Sequence, residues 1–198
     1  MFIVFEGIDG SGKTTQSKLL ANSLKFKWTK EPTFSTEQAD NFNKNKHNAY
    51  KREAFFLTDR AFHQTELTNA NIICDRYIWS GFAYLLTFGP ETYDMVIDIY
   101  SMPAFRKPDI YVFIDTLPDI CYSRRQDFDI EVLLNIRANF FKTLPLMQKW
   151  GSKVLFIPGD GTVEEIQQRV NDVLPKDNGN FLKNYLINQE LQMYKAIG

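Results

Sequence analysis

With 198 residues, 44% of them hydrophobic and 24% charged, the chain has the balance of a soluble globular protein. That length buries one large core, excludes a fibrous or disordered chain, and predicts a single domain over residues 1–198. A formal net charge of −1 excludes a global pull toward nucleic acid or an anionic membrane, so any bound anion must be held locally.

In chain order, apolar runs at residues 2–6, 70–75, 110–115 and 153–158 read as buried parallel strands, with a weaker one at 26–30 before Glu31-Pro32. Helical patterns fall at 13–25, 51–69, 80–100, 118–147 with a break near 126, and 162–174. The polar stretch 33–50 reads as a mobile loop or short helix over the site, and 178–196 as an added amphipathic helix packed on its own domain. Strands alternating with helices of this length predict right-handed crossovers and an α/β three-layer sandwich, its five-stranded parallel sheet covered by helices on both faces. Ligands then gather at the carboxyl ends of the strands. Cys74 and Cys121 adjoin apolar segments without metal-ligand spacing and read as reduced core thiols. No apolar run approaches membrane-spanning length and no leader precedes the first strand, so the expectation is a cytoplasmic protein with no membrane or nucleic-acid partner.

The first strand runs directly into Gly7-Ile8-Asp9-Gly10-Ser11-Gly12-Lys13-Thr14, which satisfies G-x-x-x-x-G-K-[ST] at every fixed position. Such a turn points successive backbone N–H groups inward, and the following helix presents its positive end to the same phosphates. Gly7, Asp9, Gly10, Ser11, Gly12, Lys13, Thr14 and Thr15 are therefore the expected phosphate cradle; Lys13 reaches the β- and γ-phosphates, and the Thr14 hydroxyl ligates Mg²⁺. At the end of the third strand, Asp75 suits a metal-bound water and Arg76 a phosphate across the cleft. A guanine-reading N-K-x-D is missing, because neither Asn43-Lys44 nor Asn45-Lys46 supplies the Asp, and this argues against a GTP switch.

At this point the chain resembles the thymidylate kinases, P-loop enzymes that move a phosphate from ATP to dTMP. The resemblance rests on ordered motifs over residues 2 to about 157: Phe5 to Gln16, Glu31-Pro32, Phe56-Leu57-Thr58-Asp59-Arg60-Ala61-Phe62-His63, Asp75 to Tyr84, and Lys107-Pro108-Asp109 leading into Phe113-Ile114-Asp115. It implies a P-loop kinase fold, the conversion of dTMP and Mg·ATP to dTDP and ADP in dTTP synthesis, and a homodimer. By the same resemblance Phe56 stacks on thymine, and Arg60, on the same helix face four residues on, reads an exocyclic oxygen. Ser80 and Gly81 contact the base edge, Tyr84 lies beneath the sugar, and Asp9 bonds the 3′-hydroxyl. His63, without evident partners, reads as structural.

Two departures stand out. Gly10 brings no basic side chain to the loop, so transition-state charge falls to a lid at about 124–130, shorter than usual, where Arg124 and Arg125 are the candidates beside Lys13 and Arg76 for catalysis. After Pro32 there is no acceptor-phosphate arginine, only Lys44 and Lys46, so phosphate affinity rests more heavily on Arg76. Another nucleotide or deoxynucleoside kinase of this fold, or a non-enzymatic nucleotide switch, remains the alternative reading, since fold alone does not fix the acceptor.

Overall fold

The computed structural model describes residues 1–45, 47–68 and 71–174; the expected helix at 178–196, residue 70 of the expected third strand, and Lys46 lie outside the described residues. Five strands, β1 (Phe2–Glu6), β2 (Lys27–Lys30), β3 (Ile72–Asp75), β4 (Ile110–Asp115) and β5 (Lys153–Pro158), form one parallel sheet in the order β2-β3-β1-β4-β5. The central strand β1 is buried at every residue because both sheet faces are covered, which is why its sequence is an unbroken apolar run closed by Glu6. Side-chain alternation splits the core in two. Phe2, Val4, Ile72, Cys74, Tyr111 and Phe113 face one helical layer, and Ile3, Phe5, Ile73, Val112 and Ile114 face the other.

Helices α1 (Lys13–Leu24) and α8 (Val163–Val173) pack on the second face through Leu20, Ala21, Ile166 and Val170. A capping box of Thr162 and Glu165 starts α8. The first face carries α4 (Ile78–Phe88), α5 (Tyr93–Ser101) and α7 (Ile130–Lys149). Their aromatic contacts centre on fully buried Trp79, whose indole N–H donates to the Phe140 carbonyl and the Thr143 hydroxyl. Cys74 and Cys121 are both buried and free.

Three expected elements differ in extent. The polar stretch after Pro32 holds a full helix, α2 (Thr36–Asn45), none of whose residues is buried, so its apolar periodicity is weak in the sequence. Helix α3 (Ala49–His63) starts earlier than expected, where the Asn48 side chain accepts from the Lys51 N–H, and stops before the expected residue 69. Beyond it, the Thr65 and Thr68 hydroxyls bond nearby carbonyls in successive turns. The helix expected over 80–100 is two, because Gly89-Pro90 ends α4 and a 3₁₀ turn at Pro90–Thr92 leads into α5. The break expected near 126 separates α6 (Pro118–Arg124) from α7.

Candidate active site

The loop from Gly7 to Gly12 leaves the carboxyl end of β1 at the centre of the sheet and enters α1 at Lys13. Gly10 has φ +81°, and a Cβ there would lie 2.4 Å from the Cys121 carbonyl oxygen, so the close approach of α6 to the loop requires glycine. At Gly7, with φ +147°, a Cβ would likewise lie 2.7 Å from the Ile114 carbonyl oxygen. Lys13 is buried and donates to the Ile8 carbonyl at 2.9 Å, folded over its own loop. Burial, with the nearby Arg76 charge, pulls its ammonium down to about 8.

Asp75, at the end of β3, faces the start of α1: its Oδ2 accepts from the Thr14 hydroxyl, while its Oδ1 is buried and has no hydrogen-bond partner among the described residues. A buried carboxylate oxygen left without a donor, beside a hydroxyl, suits a hard oxygen-seeking divalent cation, so Thr14 and Asp75 fit Mg²⁺.

Arg76 follows with φ +69°, an unusual left-handed backbone for a non-glycine residue, and this turns the side chain back over the first turns of α4. There its Nη1 donates to Ser80 Oγ at 3.1 Å and its Nη2 to Asp9 Oδ1 at 2.5 Å, with the guanidinium 5.1 Å from the Tyr84 ring centre. The Tyr84 hydroxyl donates to the other Asp9 oxygen. Burial alone would raise the Asp9 carboxyl, but Arg76, Lys13 and the Tyr84 hydroxyl outweigh it and hold the group down at about 2.

Beside this wall opens a cleft of about 720 Å³, lined by Asp9, Phe56, Arg60, Arg76, Gly81 and Tyr84 among others. Arg60 is 4% exposed: Nε donates to Glu31 Oε2 at 2.6 Å, Nη2 to the Tyr77 carbonyl at 3.2 Å, and Nη1 to the Tyr100 hydroxyl. Burial works against its charge, yet Glu31 and the tyrosines keep its pKa above the ordinary arginine value. A Cβ on Gly81 would stand 3.1 Å from Arg60 Nη1, so glycine there lets α4 pass close to the guanidinium. Phe56 packs in an aromatic cluster, stacked with Phe34 at 5.9 Å and edge-on to Phe42 at 5.2 Å. His63 bonds Glu31 through Nδ1 at 2.9 Å and Thr29 through Nε2 at 2.8 Å, away from the cleft.

Some placements differ from the motif reading. The Ser80 hydroxyl, expected at the base edge, is occupied: it donates to Glu6 and accepts from Arg76. Of the lid arginines, Arg124 reaches the loop, donating to the Gly10 carbonyl at 3.3 Å, whereas the side chain of Arg125 is 64% exposed and pairs with Asp127. Phe128 from the lid lines the same cleft with Phe88, ring centres 5.5 Å apart. Glu31, Arg52, Glu53, Phe34 and Phe42 line the cleft too and were not singled out as site residues. Arg52, Glu53, Phe56 and Arg60 recur at helical spacing on one face of α3, a signal available in the sequence once α3 is known to border the cleft.

A phosphate-binding loop at the carboxyl edge of a parallel sheet, sharing the Asp9–Arg76 wall with a second, deep cleft, defines a P-loop phosphotransferase with a donor side and an acceptor side. The sequence model of the thymidylate kinase family matches residues 5–170, and the chain belongs to that family. It is a kinase, a transferase that binds nucleotides. A probable thymidylate kinase of Methanococcus maripaludis is 31% identical over 193 residues, covering 87% of this chain and 92% of that one. Among solved structures, thymidylate kinase from Ehrlichia chaffeensis superimposes with a TM-score of 0.66 at 27% identity, over 88% of this chain and 98% of that one. Deoxyadenosine kinase from M. mycoides gives a TM-score of 0.71 at 17% identity, over 87% of this chain and 98% of that one, a likeness of fold.

Proposed function

We propose that the protein transfers the γ-phosphate of Mg·ATP to dTMP, giving ADP and dTDP. The observation that carries this reading is the shared wall: Asp9 and Arg76 belong at once to the phosphate loop's surroundings and to the cleft holding Arg60, Phe56 and Tyr84. A nucleotide monophosphate in that cleft presents its phosphate toward Lys13.

The acceptor explains the absence of a catalytic base. The second pKa of a phosphate monoester lies near ~6, so dTMP is mostly dianionic at neutral pH and needs no deprotonation. The task is to hold two polyanions together and stabilise charge as the γ-phosphoryl moves in line. Backbone N–H groups from Gly10 to Thr15 cradle the donor. Lys13 leaves the Ile8 carbonyl to reach the β- and γ-phosphates, and Arg76 holds the acceptor phosphate. Thr14 and Asp75 would hold the Mg²⁺, which when bound would supply positive charge to offset that of the phosphates. Arg124, already over Gly10, is the lid arginine, and Arg125, now paired with Asp127, is the second candidate to close over ATP. Asp9 exchanges its bonds for the 3′-hydroxyl, Tyr84 underlies the sugar, Phe56 stacks on the base, and Arg60 with Gly81 meets its exocyclic oxygen.

Free buried cysteines support a reducing, cytoplasmic setting. Membership of the thymidylate kinase family supports a homodimer, which a sizing measurement checks. The reaction is tested by incubating protein, Mg·ATP and dTMP and resolving the products. dTDP and ADP in equal amounts are expected; ADP without dTDP contradicts the reading.

A further inference from the structure

Glu6 is a buried carboxylate that phosphoryl transfer does not require, at the end of the central strand and directly before the phosphate loop. Its Oε1 accepts from the backbone N–H of Tyr77 and of Ser80, both at 3.0 Å, and its Oε2 accepts from Ser80 Oγ at 2.5 Å. Tyr77 is the N-cap of α4 and supplies no side-chain cap, so a carboxylate more than seventy residues away in sequence caps the helix instead. With both oxygens engaged by donors, Glu6 is placed as an anchor and not as a proton acceptor.

The bonds continue outward. The Ser80 hydroxyl that donates to Glu6 also accepts from Arg76 Nη1 at 3.1 Å, and Arg76 Nη2 meets Asp9 at 2.5 Å. Glu6 thus sets which way the Ser80 hydroxyl points: with the proton committed to Oε2, a lone pair is left for the guanidinium. Arg76 needs such support because its left-handed backbone sends the side chain across the first turn of α4, where its bonds to Ser80 and Asp9 fix the guanidinium plane. When Asp9 turns to the substrate, Ser80 is the contact that remains from this pair.

We infer that Glu6 is a positioning residue for the acceptor phosphate, acting through Ser80 on the guanidinium of Arg76. This rests on the reading that Arg76 holds that phosphate. Glu6→Gln keeps the shape but places an amide N–H₂ against either the two backbone donors or the Ser80 hydroxyl, and either arrangement disorders the line to Arg76. Ser80→Ala removes the middle of the line and spares the backbone cap.

The test is calorimetric titration of dTMP and of thymidine, which differ only by the phosphate, into wild type, E6Q, S80A, E6Q/S80A and R76A. It is run at pH 8, above the value of about 7 to which burial pushes the Glu6 carboxyl despite its hydrogen-bond donors. The expected result is dTMP affinity lower by about tenfold in E6Q and in S80A, with thymidine affinity unchanged and the double variant no worse than E6Q. Equal losses for dTMP and thymidine, additive losses, or no loss in S80A overturn the inference. If E6Q does not fold, the S80A ratio of dTMP to thymidine affinity decides the matter alone. A wild type that does not bind dTMP, or an R76A that binds it normally, refutes the underlying reading; R76A weakened while S80A is normal refutes only the role of Glu6.

Discussion

Arg60→Met separates what the buried guanidinium does for the fold from what it does for the acceptor. Methionine keeps an unbranched apolar stem but deletes the bonds to Glu31, the Tyr77 carbonyl and the Tyr100 hydroxyl. Glu31, 5% exposed, then keeps its hydrogen bond to His63 Nδ1 at 2.9 Å. Removing one member of a buried pair costs about 3–5 kcal/mol, and the lower end applies because His63 stays. At roughly 2–4 °C per kcal/mol for a chain of this size, the melting midpoint should fall by about 6–12 °C. Scanning calorimetry at neutral pH reads that shift, and Glu31→Gln added to Arg60→Met should recover part of it by removing the stranded charge. In steady-state assays of the folded variant, the KM for dTMP should rise at least about tenfold, as for loss of a charged hydrogen bond, with the KM for ATP nearly constant. A midpoint within about 2 °C of wild type would refute the network energetics. Equal loss of dTMP and ATP affinity would count against Arg60 as a base reader.

Three further outcomes follow from the same geometry. Lys13→Ala should lower kcat by about 10²–10³ or more while the melting midpoint stays close to wild type, because among the described residues the lysine hydrogen-bonds only a loop carbonyl; a large loss of stability would contradict this. Since burial and Arg76 pull Lys13 down to about 8, its positive charge is present below that pH and lost above it, so kcat/KM for ATP should decline as pH rises through about 8. A profile flat from pH 7 to 10 would sink that assignment. Gly10→Ala should lose ATP binding and destabilise the chain by about 1–3 kcal/mol, because the added methyl meets the Cys121 carbonyl at 2.4 Å on a backbone with positive φ; tight binding of an ATP analogue by this variant would show that the loop tolerates the strain.

The strands were legible because a parallel sheet covered on both faces turns β1, β3 and β4 into unbroken apolar runs, and the phosphate loop because its glycines and Lys13 lie within eight consecutive residues. The split between α4 and α5 was also written, in Gly89-Pro90, but the apolar periodicity of the flanking helices runs through it. Helix α2 was less so, since it buries no residue and so has no apolar stripe to read. Within the site, motif spacing pointed to Phe56, Arg60, Arg76 and Tyr84, which line the cleft, but not to Glu31, Arg52 or Glu53 beside them, nor to the partners these side chains hold. Arg60 meets Glu31 and Tyr100 across 29 and 40 residues, Arg76 meets Asp9 across 67, and Glu6 meets Ser80 across 74. Those pairings arise only once β1, β3 and α4 converge at the carboxyl edge of the sheet. The same holds for Phe128, a lid residue that the fold brings against Phe88 in the cleft.

The central claim is that the cleft beside the phosphate loop takes dTMP as phosphate acceptor. Its most direct test is a coupled assay of ADP release with Mg·ATP and, in turn, dTMP, dUMP, UMP, dCMP and thymidine, comparing kcat/KM. The account predicts dTMP first, with UMP far behind because Tyr84 underlies the sugar, and thymidine inert because Arg76 has no phosphate to hold. Thymidine phosphorylated faster than dTMP, or ATP bound with no acceptor turned over, would contradict it.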